Sequence, residues 1–419
     1  MRNCCERTIV TNTTLDGSAA TSRVSRKPLF AIGFAFIVTM MGTTLPTPLY
    51  PIYASELTFT ALTVTVLFAV YAIGVVATLL LLGRLSDHIG RKPVLLAAVA
   101  LAAASAVLFL LPPSLPLLIL ARLVSGIGAG LMSGAGTAAI IDLFGSERKA
   151  LAGTVAVAVN TGGLAVGTLL SGVIADLSTS ALSAPYLAHL MLSGVAILAL
   201  GCGLPSAPRT STTSGWRQRP HIPSAIRGAF VRAVLAAGSG FAVTGVLTAV
   251  SGLLLAGSLH VHSHSVAGGV VFVAFAGMAA GQLWARRIAP IHAQIVGCLG
   301  MVVAAGLIVL ALTTRSLPAL LAAAATVGIG GGMCLLAGLA MTVERTDVAH
   351  RGGVSSAFFA GLYTMLAVPA IGVGALTRAT DLVTAGVVFA GLVSVVPAIV
   401  VIAELVLVRR VRATEDTDN

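Results

Sequence analysis

Charge is what this chain has least of: Asp, Glu, Lys and Arg make up 9% of its 419 residues, against 57% hydrophobic residues. A soluble domain of that length carries far more charge, so an aqueous globular fold is excluded and the solvent is lipid. Acid is scarcer than base, with 14 carboxylates to 25 Lys and Arg and a formal net charge of +11. Rings are also few, at 5%. No basic stretch is interleaved with stacking aromatics, so the excess of base does not point to nucleic acid; membrane topology and anionic lipid account for it. Five cysteines, Cys4, Cys5, Cys202, Cys298 and Cys334, show neither metal-ligand spacing nor an extracellular pairing and read as free thiols. The chain lacks a phosphate-binding G-x-x-x-x-G-K-[S/T] loop, which excludes direct drive by ATP. It also lacks a converging set of nucleophile, base or metal ligands, which argues against an enzyme, a cofactor or a resident metal.

In place of charge there are apolar runs. A bilayer span needs roughly 20 mainly apolar residues. Runs of that kind occupy 29–50, 60–82, 93–111, 116–141, 151–175 and 187–204, then 233–257, 266–284, 292–313, 317–343, 354–376 and 382–408. Each is too long for a transmembrane strand and none alternates as a barrel requires, so the expected fold class is an all-α polytopic membrane protein with twelve transmembrane helices. The first run follows Arg23, Arg26 and Lys27 as a secretory signal would, but it has span length, no small-residue cleavage site and further spans behind it, and so reads as an uncleaved helix. Pro46 and Pro48 are expected to bend it.

Orientation follows from Lys and Arg. With both termini cytoplasmic, the inner segments collect Arg2 to Lys27, Arg84, Arg91 and Lys92, Arg148 and Lys149, Arg209 to Arg232, Arg286 and Arg287, Arg345 and Arg351, and Arg409, Arg410 and Arg412. Only Arg315 and Arg378 fall outside, and one missed or invented span would spoil that asymmetry. The expected organisation is a polar N-terminal tail over 1–28, a six-helix bundle over 29–204, a Pro-, Ser-, Thr- and Arg-rich cytoplasmic linker over 205–228, a second bundle over 229–408 and a cytoplasmic tail over 409–419. The halves resemble each other. Gly126-Ile127-Gly128-Ala129-Gly130 recurs 202 residues later as Gly328-Ile329-Gly330-Gly331-Gly332, and at the same spacing Asp142 meets Glu344, Lys149 meets Arg351 and Gly172 meets Gly374. A duplicated six-helix unit places a substrate path at its interface and permits rocking about it.

Between spans 2 and 3 lies a charged bend, Gly83-Arg84-Leu85-Ser86-Asp87-His88-Ile89-Gly90-Arg91-Lys92. Gly83 suits a close helix approach and Gly90 a tight reversal. Arg91 follows Asp87 by one helical turn, a spacing at which the two can pair. Gly83, Leu85, Asp87, Gly90, Arg91 and Lys92 match the loop G-x-L-a-D-r-x-G-r-k of the major facilitator superfamily, and the chain resembles that family along essentially its whole length. Leu118, Arg122, Gly126, Gly128 and Ala129 fit a second family pattern in span 4, with Ser125 where Gln is usual. The resemblance implies two pseudo-symmetric six-helix bundles working by alternating access. It implies a latch of Gly83, Asp87, Gly90, Arg91 and Asp142, with Asp87 set against the start of span 11; alternatively the bend is only a charged topological anchor. In span 5, Gly163, Gly167 and Gly172 are similar to the glycine-rich motif of bacterial proton-coupled drug exporters in this superfamily, with Thr168 in place of its proline and Ser171 in place of a glycine. Gly126, Gly128, Gly163, Gly167 and Gly172 are helix-packing positions.

Inside the spans the formal charges are Arg122 and Glu404. A buried Arg must face the bundle interior, water or a partner, and Arg122 could also snorkel. Glu404, near Arg409 and Arg410, reads as structural. Candidates for coupling or substrate binding are Arg122, Asn160, Tyr71, Gln282 and Tyr363; Thr43, Thr44, Ser133, Thr137 and Thr248 could line the path or bond a neighbouring helix. His260, His262 and His264 form an outward loop that no carboxylate or thiolate joins, and His189 is placed near the outer surface, poorly for carrying a proton. The expected function is secondary transport of a small, lipophilic molecule across the inner membrane, by proton-coupled efflux from a monomer. Proton-linked uptake of a sugar or other metabolite is the alternative, and a non-transporting sensor of the same fold the alternative of another class.

Overall fold

The computed structural model describes residues 26–145, 148–204, 222–343 and 345–417. The expectations for the N-terminal tail, Cys4 and Cys5, most of the linker, and Glu344 as the counterpart of Asp142 lie outside the described residues.

Proline decides the shape of the first span. Pro46 and Pro48 carry no N–H for the carbonyls of Gly42 and Thr44 four residues back, so a helix would lose two bonds within one turn there. The span accordingly consists of α1 (Arg26–Thr44), a 3-10 turn (Thr47–Leu49) and α2 (Tyr50–Leu57). It is broken rather than bent, and it reaches seven residues beyond the expected limit at 50. The carbonyls at the break find donors elsewhere: Arg122 Nη1 donates to Thr43 O at 2.6 Å, and Ser171 Oγ to Leu45 O at 2.7 Å. Polar side chains from neighbouring helices are how a lipid-embedded break is satisfied.

The remaining spans are α3 (Ala61–Leu82), α5 (Arg91–Leu110), α6 (Leu115–Phe144), α7 (Lys149–Leu177), α8 (Ala184–Gly203), α9 (Arg227–Ser258), α10 (His264–Ala285), α11 (Pro290–Thr314), α12 (Leu317–Thr342), α13 (Val348–Leu376) and α14 (Leu382–Thr417). The short α4 (Leu85–Ile89) lies in the charged bend. Twelve segments are long and apolar enough to cross a membrane. Thr60, Ser263 and Ser316 cap α3, α10 and α12 through their hydroxyls. Asp381 accepts from the amides of Val383 and Thr384 ahead of α14, and its bonds to Thr384 hold that carboxyl below the usual range. The last helix continues through Thr417, past the expected start of a tail at 409. Cys202, Cys298 and Cys334 are free thiols.

Two six-helix bundles result. In the first, α1 packs on α6, α7 and α8, and α5 on α6 and α8; in the second, α12 packs on α9, α10 and α11, and α14 on α9 and α11. Between them α7 lies on α10 and α3 on α13. The 202-residue repeat is present in these contacts. A Cβ at Gly126 would stand 2.2 Å from the Tyr71 carbonyl of α3, and one at Gly328 2.1 Å from the Ala274 carbonyl of α10. Gly172 of α7 meets the first turn of α10 at His264, and Gly374 of α13 meets the first turn of α3 at Leu62 and Thr65. Each half therefore lays a bare glycine against the opening turn of a helix from the other. The end of the bundle with the Arg84–Lys92 bend is called the basic end below, and the opposite one the far end.

Candidate functional site

Arg122, on α6, is 0% exposed. Its Nη1 holds Thr43 O at the break in the first span, and its Nε donates to the Tyr50 hydroxyl at 2.9 Å, with Nη2 on the same oxygen. The guanidinium carbon lies 5.4 Å from the centroid of the Tyr50 ring and 5.9 Å from that of Tyr71. These partners are a carbonyl, a phenol and two ring faces, not a carboxylate. The charge is held by cation–π and dipole interactions and stays formally uncompensated. Snorkelling is thereby corrected: the side chain turns inward, because the freed Thr43 carbonyl offers a buried acceptor.

Tyr71 carries this cluster to the other half. Its ring meets Tyr363 of α13 edge-on at 6.4 Å, with Phe68 at 6.1 Å on its own helix, and Tyr363 meets Phe241 of α9 at 6.1 Å. A row of four rings thus crosses the seam between the bundles near mid-span. Tyr363 and Phe241 are partly exposed. Of the expected binding residues the structure brings together Arg122, Tyr71 and Tyr363. Asn160, half-buried on α7, and Gln282, buried on α10 with its amide nitrogen unpartnered, make none of these contacts. The hydroxyls of Thr43, Thr44 and Thr248 donate to helix carbonyls, at Met40, Leu164 and Thr244, so they are committed to backbone. Tyr50, Phe68 and Phe241 were not foreseen; the only signal for Tyr50 was its place directly behind the proline pair.

At the basic end Arg91 pairs with Asp87 and, through Nε, with Asp142 at 3.0 Å, while Nη1 also reaches Ser86. Gly90 turns the chain at φ +98°, where a side chain would be strained; Gly83 has an ordinary helical φ of −57°. Lys92 Nζ holds the carbonyls of Gly201 and Leu204 at the end of α8. These contacts all lie within the first half. Asp87 is half-exposed on Arg91 of its own bundle, where the family resemblance set it on the start of α13. Of the packing glycines, Gly126 and Gly128 face α3 and α5, Gly163 and Gly167 face α1, and Gly172 faces α10.

In the second half Glu404, 2% exposed, pairs with Arg232 at 2.7 Å and accepts from Gln294 Nε2 at 3.0 Å, joining α14, α9 and α11. Glu404 turns into the bundle, while Arg409 is exposed. Removing one member of a buried pair strands the other charge, at a cost of about 3–5 kcal/mol, whereas an apolar pair of similar volume is tolerated. Arg232→Met, which leaves the buried Glu404 without its cation, is expected to lower the thermal midpoint of the detergent-solubilised protein sharply, and adding Glu404→Leu to restore it. Equal midpoints for Arg232→Met and the unmodified chain would refute this.

The far end is sealed by a contact that crosses the halves. Asp176, at the end of α7, accepts from the backbone amides of His264 at 2.8 Å and Ser265 at 2.9 Å and from the hydroxyls of Ser263 and Ser265, and so caps α10 of the other bundle. A carboxylate is favoured there by the unpaired amides and the helix dipole. Gly268 against Thr168, Gly252 against Pro51 and Gly374 against Thr65 close the same end. His264 Nδ1 lies 3.8 Å from Asp176, and among the described residues no three His, Cys, Asp or Glu stand together as a metal site.

Comparison with known proteins agrees with this geometry. Residues 32–370 match the sequence profile of the Major Facilitator Superfamily. The quinolone resistance protein NorA of Staphylococcus aureus is 26% identical over 192 residues, 46% of this chain and 48% of that protein. The class G tetracycline resistance protein of Vibrio anguillarum is 35% identical over 136 residues, 32% of this chain and 33% of that one. The chain thus spans about half or less of the length of the curated relatives it matches. Among solved structures, a bacterial homologue of the human lysosomal transporter Spinster, in an inward-facing and unoccupied conformation, superposes with a TM-score of 0.72 at 14% identity, covering 91% of this chain and 97% of that one. The nucleoside transporter NupG (D323A mutant) gives 0.67 at 15% identity, covering 90% and 99%. With a family match over most of its length and, among the described residues, twelve apolar helices in two bundles, the chain is a multi-pass membrane protein that belongs to the Major Facilitator Superfamily.

Proposed function

We propose that the chain is a secondary active exporter of a small lipophilic molecule, working as a monomer in the inner membrane by alternating access and driven by proton entry. The basic end is cytoplasmic, both termini included, and the halves 29–204 and 229–408 rock about the seam, tied by the linker over 205–228. One observation carries the reading: the bundles are sealed together at the far end by Asp176 and the glycine contacts, while the ion pairs of the basic end, Arg91 with Asp87 and Asp142 and Arg232 with Glu404, each stay within one half. That is the arrangement of a carrier facing inward. The partly exposed rings of Tyr363 and Phe241 at mid-span offer aromatic faces to a substrate, which suits planar, lipophilic groups. The partial likeness to a quinolone and a tetracycline resistance protein supports the same class.

Transport into inverted vesicles under an imposed pH gradient tests this, with a quinolone, a tetracycline, ethidium and a sugar as the panel. Accumulation of one of the first three against its gradient is expected; failure of all of them to accumulate defeats the exporter reading.

The latch belongs to the opposite state. When the basic end closes, Asp87 approaches the amides at the start of α13, where a carboxylate gains up to about 1–2 kcal/mol. Asp87→Asn should leave insertion intact and reduce turnover by about fivefold to tenfold, read as flux per inserted protein. Unchanged flux removes the latch and leaves Asp87 an anchor of topology.

A further inference from the structure

We propose that His189 carries the coupling proton; this rests on the proton-driven reading above. His189 lies on α8, 1% exposed, and neither of its ring nitrogens has a hydrogen-bond partner. A neutral imidazole always presents one donor and one acceptor. Leaving both unmet in a buried site costs about 1–3 kcal/mol for each group, which a leucine in its place would not incur. A polar group kept buried at such a cost calls for a task other than packing.

Its position supplies the task. The Nε2 corner of the ring stands against α1 at Gly42, where a Cβ would lie 2.5 Å from Nε2. Gly42 is the residue whose carbonyl loses its helical donor to Pro46, and the adjacent Thr43 carbonyl is the one Arg122 holds. Imidazole and guanidinium therefore address neighbouring residues of one broken segment. The groups around them are few. The helices packed on α8 are α1, α5 and α7. Residues 101–110 of α5 contain nothing ionisable, and the far half of α7 has only Asp176, which is committed to α10. Tyr50, Tyr53 and Tyr186 are phenols, with the last two joined at 3.4 Å, Glu56 at the end of α2 is an exposed carboxylate beside Tyr53, and Arg122 on α6 is a fixed charge. Of these kinds of side chain only an imidazole ordinarily exchanges a proton near neutral pH, as it would in a far end opened to water.

The proton adds to the lone pair of the imine nitrogen, and both nitrogens become donors. In the conformation described, neither would have an acceptor, and a second positive charge would join Arg122 beside the same segment. The neutral ring thus fits the sealed far end. The doubly donating ring fits a far end opened to water, which supplies acceptors. Protonation from outside and release inside would then alternate with the closing of the seam.

The full-length protein in inverted vesicles tests this with the quinolone, tetracycline and ethidium of the panel above. His189→Gln should lose about tenfold in pH-driven accumulation while counterflow without a gradient falls by no more than about twofold, and the pH profile of counterflow should flatten. Undiminished pH-driven accumulation in His189→Gln overturns the proposal and leaves the antiport reading standing; an unmodified chain that no pH gradient drives removes both. If the variant does not insert, the 15N imidazole signal of His189 in a chain whose other seven histidines are Gln decides. A ring that titrates, and shifts its titration when ethidium is added, supports the proposal, and one neutral throughout pH 5 to 8 overturns it.

Discussion

Arg122→Leu is expected to reduce flux by two orders of magnitude or more while the protein still folds and inserts. The guanidinium serves two oxygens that nothing else reaches: the Thr43 carbonyl, at the proline break, and the Tyr50 hydroxyl. Without it the carbonyl is buried and unmet, at a cost of about 1–3 kcal/mol. Part of that is offset, because leucine also removes a buried charge that has no carboxylate partner. Stability should therefore fall modestly. Function should fall far more, because the geometry of the break and the electrostatic face that Arg122 offers to Tyr71 and the seam disappear together. Arg122→Lys separates the two contributions. An ammonium retains the charge and can serve two oxygens, as Lys92 does, but its single nitrogen lacks the planar spread that sets Nη1 on the Thr43 carbonyl and Nε on the Tyr50 hydroxyl. Lysine should thus recover less than a tenth of the lost flux. Flux per inserted protein, read beside the size-exclusion profile in detergent, checks both variants. Wild-type flux in Arg122→Leu would mean that the residue only packs.

How much of this was legible follows from range along the chain. The spans were readable because a bilayer imposes its thickness on each run separately: 93–111 was expected and Arg91–Leu110 found, 266–284 expected and His264–Ala285 found. The Arg91–Asp87 pair was readable because its members are four residues apart, although they stand on α5 and α4 either side of the Gly90 bend and not on one helical turn. The proline pair announced an irregularity at 46–48, but not which donors satisfy it, since Arg122 and Ser171 lie 79 and 126 residues from their acceptors. The burial of His189 was hidden for a related reason. Five residues into its helix it looked superficial, and only the packing of α1 over α8 at Gly42 buries it. Asp176 was passed over because an acid at the end of a span is ordinarily solvated. Its worth lies in facing the amides of a helix in the other half, almost 90 residues on. Glu404 was read as structural from its place near Arg409 and Arg410, but its partner Arg232 lies 172 residues away and no local pattern names it.

Gly172→Leu should hold the far end apart. A Cβ there would stand 2.3 Å from the carbonyl oxygen of His264, and the obstacle is backbone, which cannot rotate away as a side chain can. α7 must then withdraw from α10, and Asp176, one turn further along the same face, loses its grip on the amides of His264 and Ser265. Both closures fail from one substitution, so the inward-facing state is disfavoured and flux should drop by more than about tenfold, equivalent to ~1.4 kcal/mol against that state. Spin labels at Thr179 and His262, both exposed at the far end, should move apart in the variant. The repeat makes the prediction stricter, because Gly374 meets Leu62 and Thr65 of α3 in the corresponding way and Gly374→Leu should act alike. Asp176→Asn should act in the same direction but more weakly, since an amide oxygen still accepts from the helix amides while the charge on the helix dipole is lost. Gly391→Leu provides the control: nothing lies within 4 Å of its Cβ position, and neither flux nor label distance should change. If Gly172→Leu left the label distance unaltered, the far-end contact would be incidental to the cycle, and the glycine of the repeat would be a matter of packing alone.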